Sequence, residues 1–330
     1  MSGLGMLRSS SCMRERSNPS PYAGDDPFSG VLRLTAAQSV AAGGFIIGGA
    51  WALRFPAPSK IKFFGVLMGQ CWLCVEGEKA PVQLNAGDVF LLSARRTFVL
   101  GSDLVTEPVD AMSIFDERTE TIMKLAERED CMILGGYVEF GSPSGRILLD
   151  ALPPLIVVPN STSQATLLHF ILDQLVRERV ENLPGASVVS SQFALVLFIQ
   201  VLRAYLELSG PISAGWLRAV GDKRLAPALQ LMHSDPARAW QLGELAKASG
   251  MSRTTFALYF KAVAGVTPIA YLTRWRMHLA ERALRDEDTS LRELAHSLGY
   301  ASESAFSNAF KRLTGNAPTH FRGAARNKAK

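Results

Sequence analysis

The sequence predicts an α+β chain: a β-barrel in the N-terminal half, a helical hairpin after it, and an all-α C-terminal domain of two helix-turn-helix units. Three observations predict this. The spacing of apolar residues changes from about two to about 3.6 residues near Pro159. A motif of the C-terminal third occurs twice. Charge is segregated, with 17 Lys and Arg against 9 Asp and Glu in residues 221–330 but 18 against 21 before them. The 330 residues suffice for about two domains, and 48% hydrophobic with 20% charged residues excludes a disordered or fibrous chain for most of the length.

Residues 1–27 are rich in Ser, Pro, Gly and charge and read as a disordered tail. Arg8, Arg14 and Arg16 are followed by no apolar run, so this is not a secretory signal. Residues 28–160 carry short apolar runs punctuated by Gly, Pro and Asp, a β signature. Within them 63–75 and 82–92 are apolar, aromatic and β-branched, and the turn-forming Glu76-Gly77-Glu78 and Asn85-Ala86-Gly87-Asp88 bound them. The uncharged stretch 34–53 holds Gln38, Ser39 and four glycines and reads as glycine-broken strands, so no membrane partner is expected. Four cysteines are too few for a disulfide framework and fit a reducing cytoplasm.

Residues 161–215 are expected to form the hairpin. Leu167, Ile171 and Leu175, with Leu168, Leu172 and Val176, make one wide stripe, and 187–208 is apolar nearly all round. Asn182-Leu183-Pro184-Gly185 joins the two helices. The barrel can cover one face only, which places Leu168 and Leu175 on an outward stripe open to a second copy.

The repeat is the most informative feature. Leu-Gly-Glu-Leu-Ala-Lys-Ala-Ser-Gly at 242–250 returns as Leu-Arg-Glu-Leu-Ala-His-Ser-Leu-Gly at 291–299. Phe256 and Phe260 correspond to Phe306 and Phe310, Gly265 to Gly315, Pro268 to Pro318, and Tyr271 to Phe321. In each copy Leu and Ala face the core of a short helix, Gly250 or Gly299 ends it with left-handed backbone, and Ser252 or Ser302 caps the next. The second helix of each copy buries its phenylalanines at i and i+4, which frees its other face for a major groove. Thr267 and Pro268 start a linking helix as far as Arg285. Its roughly 27 Å approaches the 34–36 Å between successive major-groove faces, so both reading helices can dock on one side of a duplex.

Residues 250–253, Tyr271-Leu272-Thr273-Arg274-Trp275-Arg276-Met277, and the run from Gly299-Tyr300 through Ala309-Phe310-Lys311-Arg312 to Pro318 and Phe321-Arg322 resemble the AraC/XylS DNA-binding domain. The resemblance covers about residues 221–323, the domain being placed at 216–323 with a basic tail at 324–330. It implies a cytoplasmic, sequence-specific transcription regulator whose partners are double-stranded DNA, a second copy of the chain, RNA polymerase and a small-molecule effector. The groove-facing candidates are Ser252, Arg253, Thr254, Thr255, Ala257, Leu258 and Lys261 in the first copy, Arg274 in the linking helix, and Ser302, Glu303, Ser304, Ser307, Asn308, Lys311 and Arg312 in the second. The family commonly carries a base-reading polar residue where Ala257-Leu258 stands, and an Arg at Asn308. Leu258 can touch a thymine methyl, and Asn308 suits adenine.

Gly69-Gln70-Cys71-Trp72-Leu73, Pro81-Val82-Gln83-Leu84 and Gly87-Asp88-Val89-Phe90-Leu91-Leu92 resemble the cupin-like arm of many such regulators. Some cupins are metal enzymes. Here all five histidines, His169, His233, His278, His296 and His320, lie outside the barrel, and Phe64 stands where related arms often have a His, so no metal, cofactor or catalysis is expected. Cys71 and Cys74 are i and i+3 on a strand and face opposite ways. The interior, lined by Trp51, Phe63, Val66, Trp72, Phe90 and Phe98, either holds a small apolar ligand or is filled by its own side chains. Arg95 and Arg96 are candidates to meet an acidic ligand, or are simply solvated.

Overall fold

The computed structural model describes residues 26–93, 95–115, 122–141, 145–149, 151–181, 183–208 and 214–328. Of the disordered tail expected over residues 1–27, residues 1–25 lie outside these, as do the last two residues of the chain, whereas Asp26 and Pro27 start a helix. Asp26 opens the described chain as the cap of α1 (Pro27–Thr35), its carboxylate accepting from the backbone N–H of Phe28 and Ser29. Strands were expected from Phe28 onward. The helix forms instead because Phe28, Val31 and Leu34 recur every third residue behind an Asp-Pro start.

The strands follow as β1 (Ala37–Ile47), β2 (Ala52–Phe55), β3 (Ile61–Met68), β4 (Gln70–Val75), β5 (Val82–Asn85), β6 (Val89–Leu92), β7 (Phe98–Gly101), β8 (Val109–Asp110), β9 (Ile122–Lys124) and β10 (Cys131–Phe140), then helix α2 (Arg146–Leu149) and β11 (Leu155–Val158). They build two sheets, ordered β11-β6-β3-β10-β1-β9 and β5-β4-β7-β2-β8, so the expected barrel takes the form of a sandwich. Between the sheets lies a core that includes Phe45, Trp51, Leu53, Phe64, Val66, Phe90, Phe98 and Ile133.

The outer face of the larger sheet is apolar too. Ile61, Phe63, Leu134 and Val138 belong to the same buried cluster as the hairpin helices α3 (Ala165–Glu181) and α4 (Ala186–Leu208). Leu172 presses on bare Gly65, where a Cβ would lie 2.5 Å from its methyl. Leu168 and Leu175 have no exposed surface, so the outward stripe expected at these residues is the inward one. The hydrophobic ridge of α3 is wide enough that sequence alone does not say which edge the sheet takes. The edge left in solvent is that of Leu167 and Phe170, 42% and 53% exposed. By length and composition α4 could cross a membrane, but Ala194, Leu197, Phe198, Val201 and Leu202 pack it into this core.

The C-terminal domain comprises α5 (Trp216–Gly221), α6 (Ala226–Ser234), α7 (Leu242–Ala248), α8 (Arg253–Ala264), α9 (Pro268–Asp286), α10 (Leu291–Ser297), α11 (Glu303–Thr314) and α12 (Pro318–Lys328). The core of α5 to α8 is continuous with that of the hairpin, whereas α10 and α11 have a cluster of their own against α9. Helix α1 crosses back to this domain. Its Val31 and Leu34 are buried against Trp275, and Phe28 stacks on Trp216 at 6.5 Å between ring centres. Arg285 also donates to the Gly141 carbonyl at 3.1 Å.

Candidate nucleic-acid interface

Helices α7 and α8 form the first unit. Glu244 reaches back to the Gln241 N–H at 2.9 Å, which satisfies the start of α7. Gly250, at φ 64°, turns the chain, and the Ser252 hydroxyl accepts from the Thr255 N–H at 3.2 Å to begin α8. Phe256 and Phe260 are wholly buried, and this fixes which face of α8 looks outward. The second unit repeats the solution. Glu293 and Ser290 cap α10, and their hydrogen bonds hold the Glu293 carboxyl below the ordinary carboxylate range. Gly299, at φ 77°, makes the turn, and Ser302 accepts from the Ala305 N–H at 3.1 Å to start α11, whose Phe306 and Phe310 are buried.

The two units meet directly. Arg276 of α9 donates from Nε to the Pro236 carbonyl at 2.5 Å and from Nη2 to the Arg238 carbonyl at 3.0 Å, and its guanidinium lies 5.8 Å from the Tyr300 ring centre. Gly299 sits on Ala237, where a Cβ would come 2.0 Å from the carbonyl oxygen. Burial lowers the Arg276 pKa. The sequence motif contains this residue without marking its role; a half-buried Arg satisfied by carbonyls has no local sequence signal.

Of the candidate reading residues, Ser252, Arg253, Thr254, Thr255, Leu258 and Lys261 are exposed on α8 or its cap, and Ala257 is half-buried. Leu258 is 67% exposed, an apolar side chain that no core contact explains. Ser302, Glu303, Ser304, Asn308, Lys311 and Arg312 are exposed on α11 or its cap, with Ser307 half-buried, and Arg274 is exposed on α9. The Thr255 hydroxyl is engaged with Ser252 Oγ at 2.9 Å. Arg253 folds over α7, so that a Cβ at Gly243 would lie 2.7 Å from its Nε.

In the sandwich, a cavity of about 500 Å³ opens between the sheets. Of the six residues expected to line the interior, only Phe98 borders it. Trp51, Val66 and Phe90 are packed into the inner core beside it. Phe63 faces the hairpin on the other side of the sheet, and Trp72 is only half-buried. Around this cavity stand Phe45, Phe55, Phe64 and Phe115, with Lys60, Lys62 and Tyr137. Arg96 meets Glu78 at 2.8 Å instead of the cavity. Cys71 is buried and Cys74 half-buried, and the partner of the Cys71 thiol is Cys131.

Two helix-turn-helix units held as one body behind a sandwich define a DNA-binding protein of the helix-turn-helix class. A family profile described as a helix-turn-helix domain matches residues 245–324, and one described as a cupin matches residues 26–207. An AraC-like transcription regulator of Streptomyces lividans is 39% identical over 297 residues, covering 90% of this chain and 98% of that protein. The HTH-type transcriptional regulator AlkR of Acinetobacter baylyi is 28% identical over 286 residues, covering 83% and 91%. Among solved structures, the DNA-binding domain of AdpA in complex with a target DNA is 29% identical, covers 32% of this chain and 96% of that one, and has a TM-score of 0.31. The chain belongs to the AraC family of transcription regulators and carries an N-terminal cupin domain. It is a DNA-binding regulator, and the relatives it matches are regulators rather than enzymes.

Proposed function

We propose that this regulator reads its operator with α8 and α11 in successive major grooves, works as a homodimer, and is controlled by a small molecule in the sandwich cavity. The observation that carries the first part is the pair of exposed faces, Arg253, Thr254 and Leu258 on one helix and Glu303, Ser304 and Asn308 on the other, on units locked together by Arg276. Their chemistries differ. Arg253 suits guanine, Leu258 a thymine methyl, Glu303 the amino group of cytosine, and Asn308 adenine. Lys261, Lys311 and Arg312 stand ready for phosphates, which set affinity without reading sequence.

The homodimer reading is supported by apolar residues left exposed along the hairpin: Leu167 and Phe170 on α3, Val188 and Val196 on α4. Joining two such domains makes the second docking effectively intramolecular. RNA polymerase is the further partner this role implies at a promoter, and the cytoplasm is where the protein works.

The test is a mobility-shift titration of the full chain against a duplex obtained by selection from random sequence, with a scrambled duplex beside it. Specific binding that weakens steeply as salt rises is expected. Equal affinity for both duplexes would remove the specific reader.

A further inference from the structure

Helices α8 and α11 hold equivalent places in the repeat, but their outward faces are not equally charged. With Phe256 and Phe260 matched to Phe306 and Phe310, Lys261 corresponds to Lys311, Ala262 to Arg312 and Tyr259 to Ala309. At 3.6 residues per turn, position 261 falls on one side of Leu258, and positions 259 and 262 fall on the other. The same geometry sets Lys311 and Arg312 on opposite flanks of Asn308. Helix α11 thus carries a cation on each flank, whereas α8 has Lys261 on one and the exposed Ala262 on the other. A helix in a major groove has a phosphate backbone along both sides, so the Ala262 flank calls for a cation from elsewhere. The turn before α6 holds one. Asp222 organises this turn: one carboxylate oxygen accepts from the backbone N–H of Arg224 at 2.8 Å and of Leu225 at 3.1 Å, and the other accepts from the Tyr259 hydroxyl at 2.6 Å. The turn is thereby tied to α8, and the Arg224 guanidinium lies over the Tyr259 ring, 4.4 Å from its centre.

We propose that Arg224 is a DNA-backbone contact: it replaces, from the turn between α5 and α6, the cation that α8 lacks at Ala262, and takes a phosphate on that side of the groove. The inference rests on reading α8 as a groove-inserted helix, and it adds a residue that lies outside both helix-turn-helix units. Arg224 is exposed, as is Lys223 beside it, whose charge offsets that of Asp222. The guanidinium carries five N–H donors in a fork that matches phosphate, and a seat on a ring face uses little of that capacity. Tyr259 is then a positioning residue. It stands where the second copy has Ala309, and that copy needs no such seat because Arg312 is carried by the helix itself.

The experiment titrates the full chain with the selected duplex and the scrambled one over a range of salt concentrations, with thermal melts to show that each variant is folded. Arg224→Gln should weaken both duplexes alike, roughly tenfold, and lower the slope of log affinity against log salt by about one. Returning the cation to the helix, as Ala262→Arg in the Arg224→Gln chain, should recover both affinity and slope. Tyr259→Leu removes the seat and leaves the charge; it should weaken binding by the wild-type chain and have no further effect once Arg224 is Gln. If Lys261→Gln lowers the slope and Arg224→Gln does not, the Arg224 contact is wrong and α8 remains in the groove. If neither lowers it, both the contact and the groove-inserted α8 fall. A slope that Arg224→Gln lowers but Ala262→Arg does not recover would overturn the replacement of position 262.

Discussion

Arg253 is the first residue of α8, and its guanidinium rests on the bare backbone of Gly243. In the second copy those positions are Glu303 and Arg292, so the two reading helices begin with opposite charges. Arg253→Ala should cost roughly 1–3 kcal/mol of operator binding and relax preference at one base pair. Competition with single-base operator variants measures this, and a uniform loss across all variants would reduce Arg253 to a phosphate contact. His233 offers a separate test. It is stacked on Trp275 at 3.8 Å between ring centres and lies 2.9 Å from the Tyr271 hydroxyl, and burial pushes its pKa down to about 3. In the unfolded chain it takes a proton near its ordinary value of about 6.5. Between about pH 6.5 and 3 the unfolded state alone is therefore protonated, and stability falls with pH by up to about 1.4 kcal/mol per unit. His233→Phe forfeits the Tyr271 hydrogen bond at neutral pH but should flatten the melting temperature over that interval. An acid limb of unchanged slope would assign the loss to other groups.

At the scale of the element, Gly250 and Gly299 hold the same place in the repeat and differ in their surroundings. Both have positive φ, but a Cβ at Gly250 meets open space whereas one at Gly299 would strike the Ala237 carbonyl. Gly250→Ala should cost about 1–2 kcal/mol, the ordinary penalty of left-handed backbone. Gly299→Ala should cost clearly more, as read by thermal melts of the full chain; equal costs would mean that the 235–238 loop yields freely. These glycines, with the caps at Ser252, Ser302 and Thr267, were legible because a helix end is written in four or five consecutive residues. The sandwich was harder. Phe63 and Phe64 are adjacent, and with both faces of the larger sheet buried, alternation of polar and apolar residues no longer says which ring looks inward. Lys62 was the one mark of parity, since a charge two residues from Phe64 had to share its row. Helix α3 failed for the same reason: Leu167 and Leu168 are equally apolar, and the sheet chose Leu168.

For the whole molecule, the exposed ridge of the hairpin carries the dimer prediction. Leu167→Glu with Phe170→Glu should leave the fold intact, shift sedimentation from dimer to monomer and lower affinity for a two-site operator. Leu168→Glu places an unpaired charge in the core and should unfold the protein. A folded double variant that stays dimeric would move the interface elsewhere. A final consequence follows from the contacts of Arg276 and Gly299 with the 235–238 loop, which tie the second unit to the first. Each base pair inserted between the two halves of the bound sequence turns the far half by roughly 34–36° and carries it about 3.4 Å along the axis. A jointed protein could follow that rotation; this one arrives out of phase with the groove. One inserted base pair should therefore abolish binding as thoroughly as scrambling a half-element, and adding about ten should not restore it, because the phase is then right but the distance is too great. If α8 and α11 both read the operator as proposed, the protein would behave as a gauge of fixed pitch, tolerant of many base changes in its promoters but not of a change in that count.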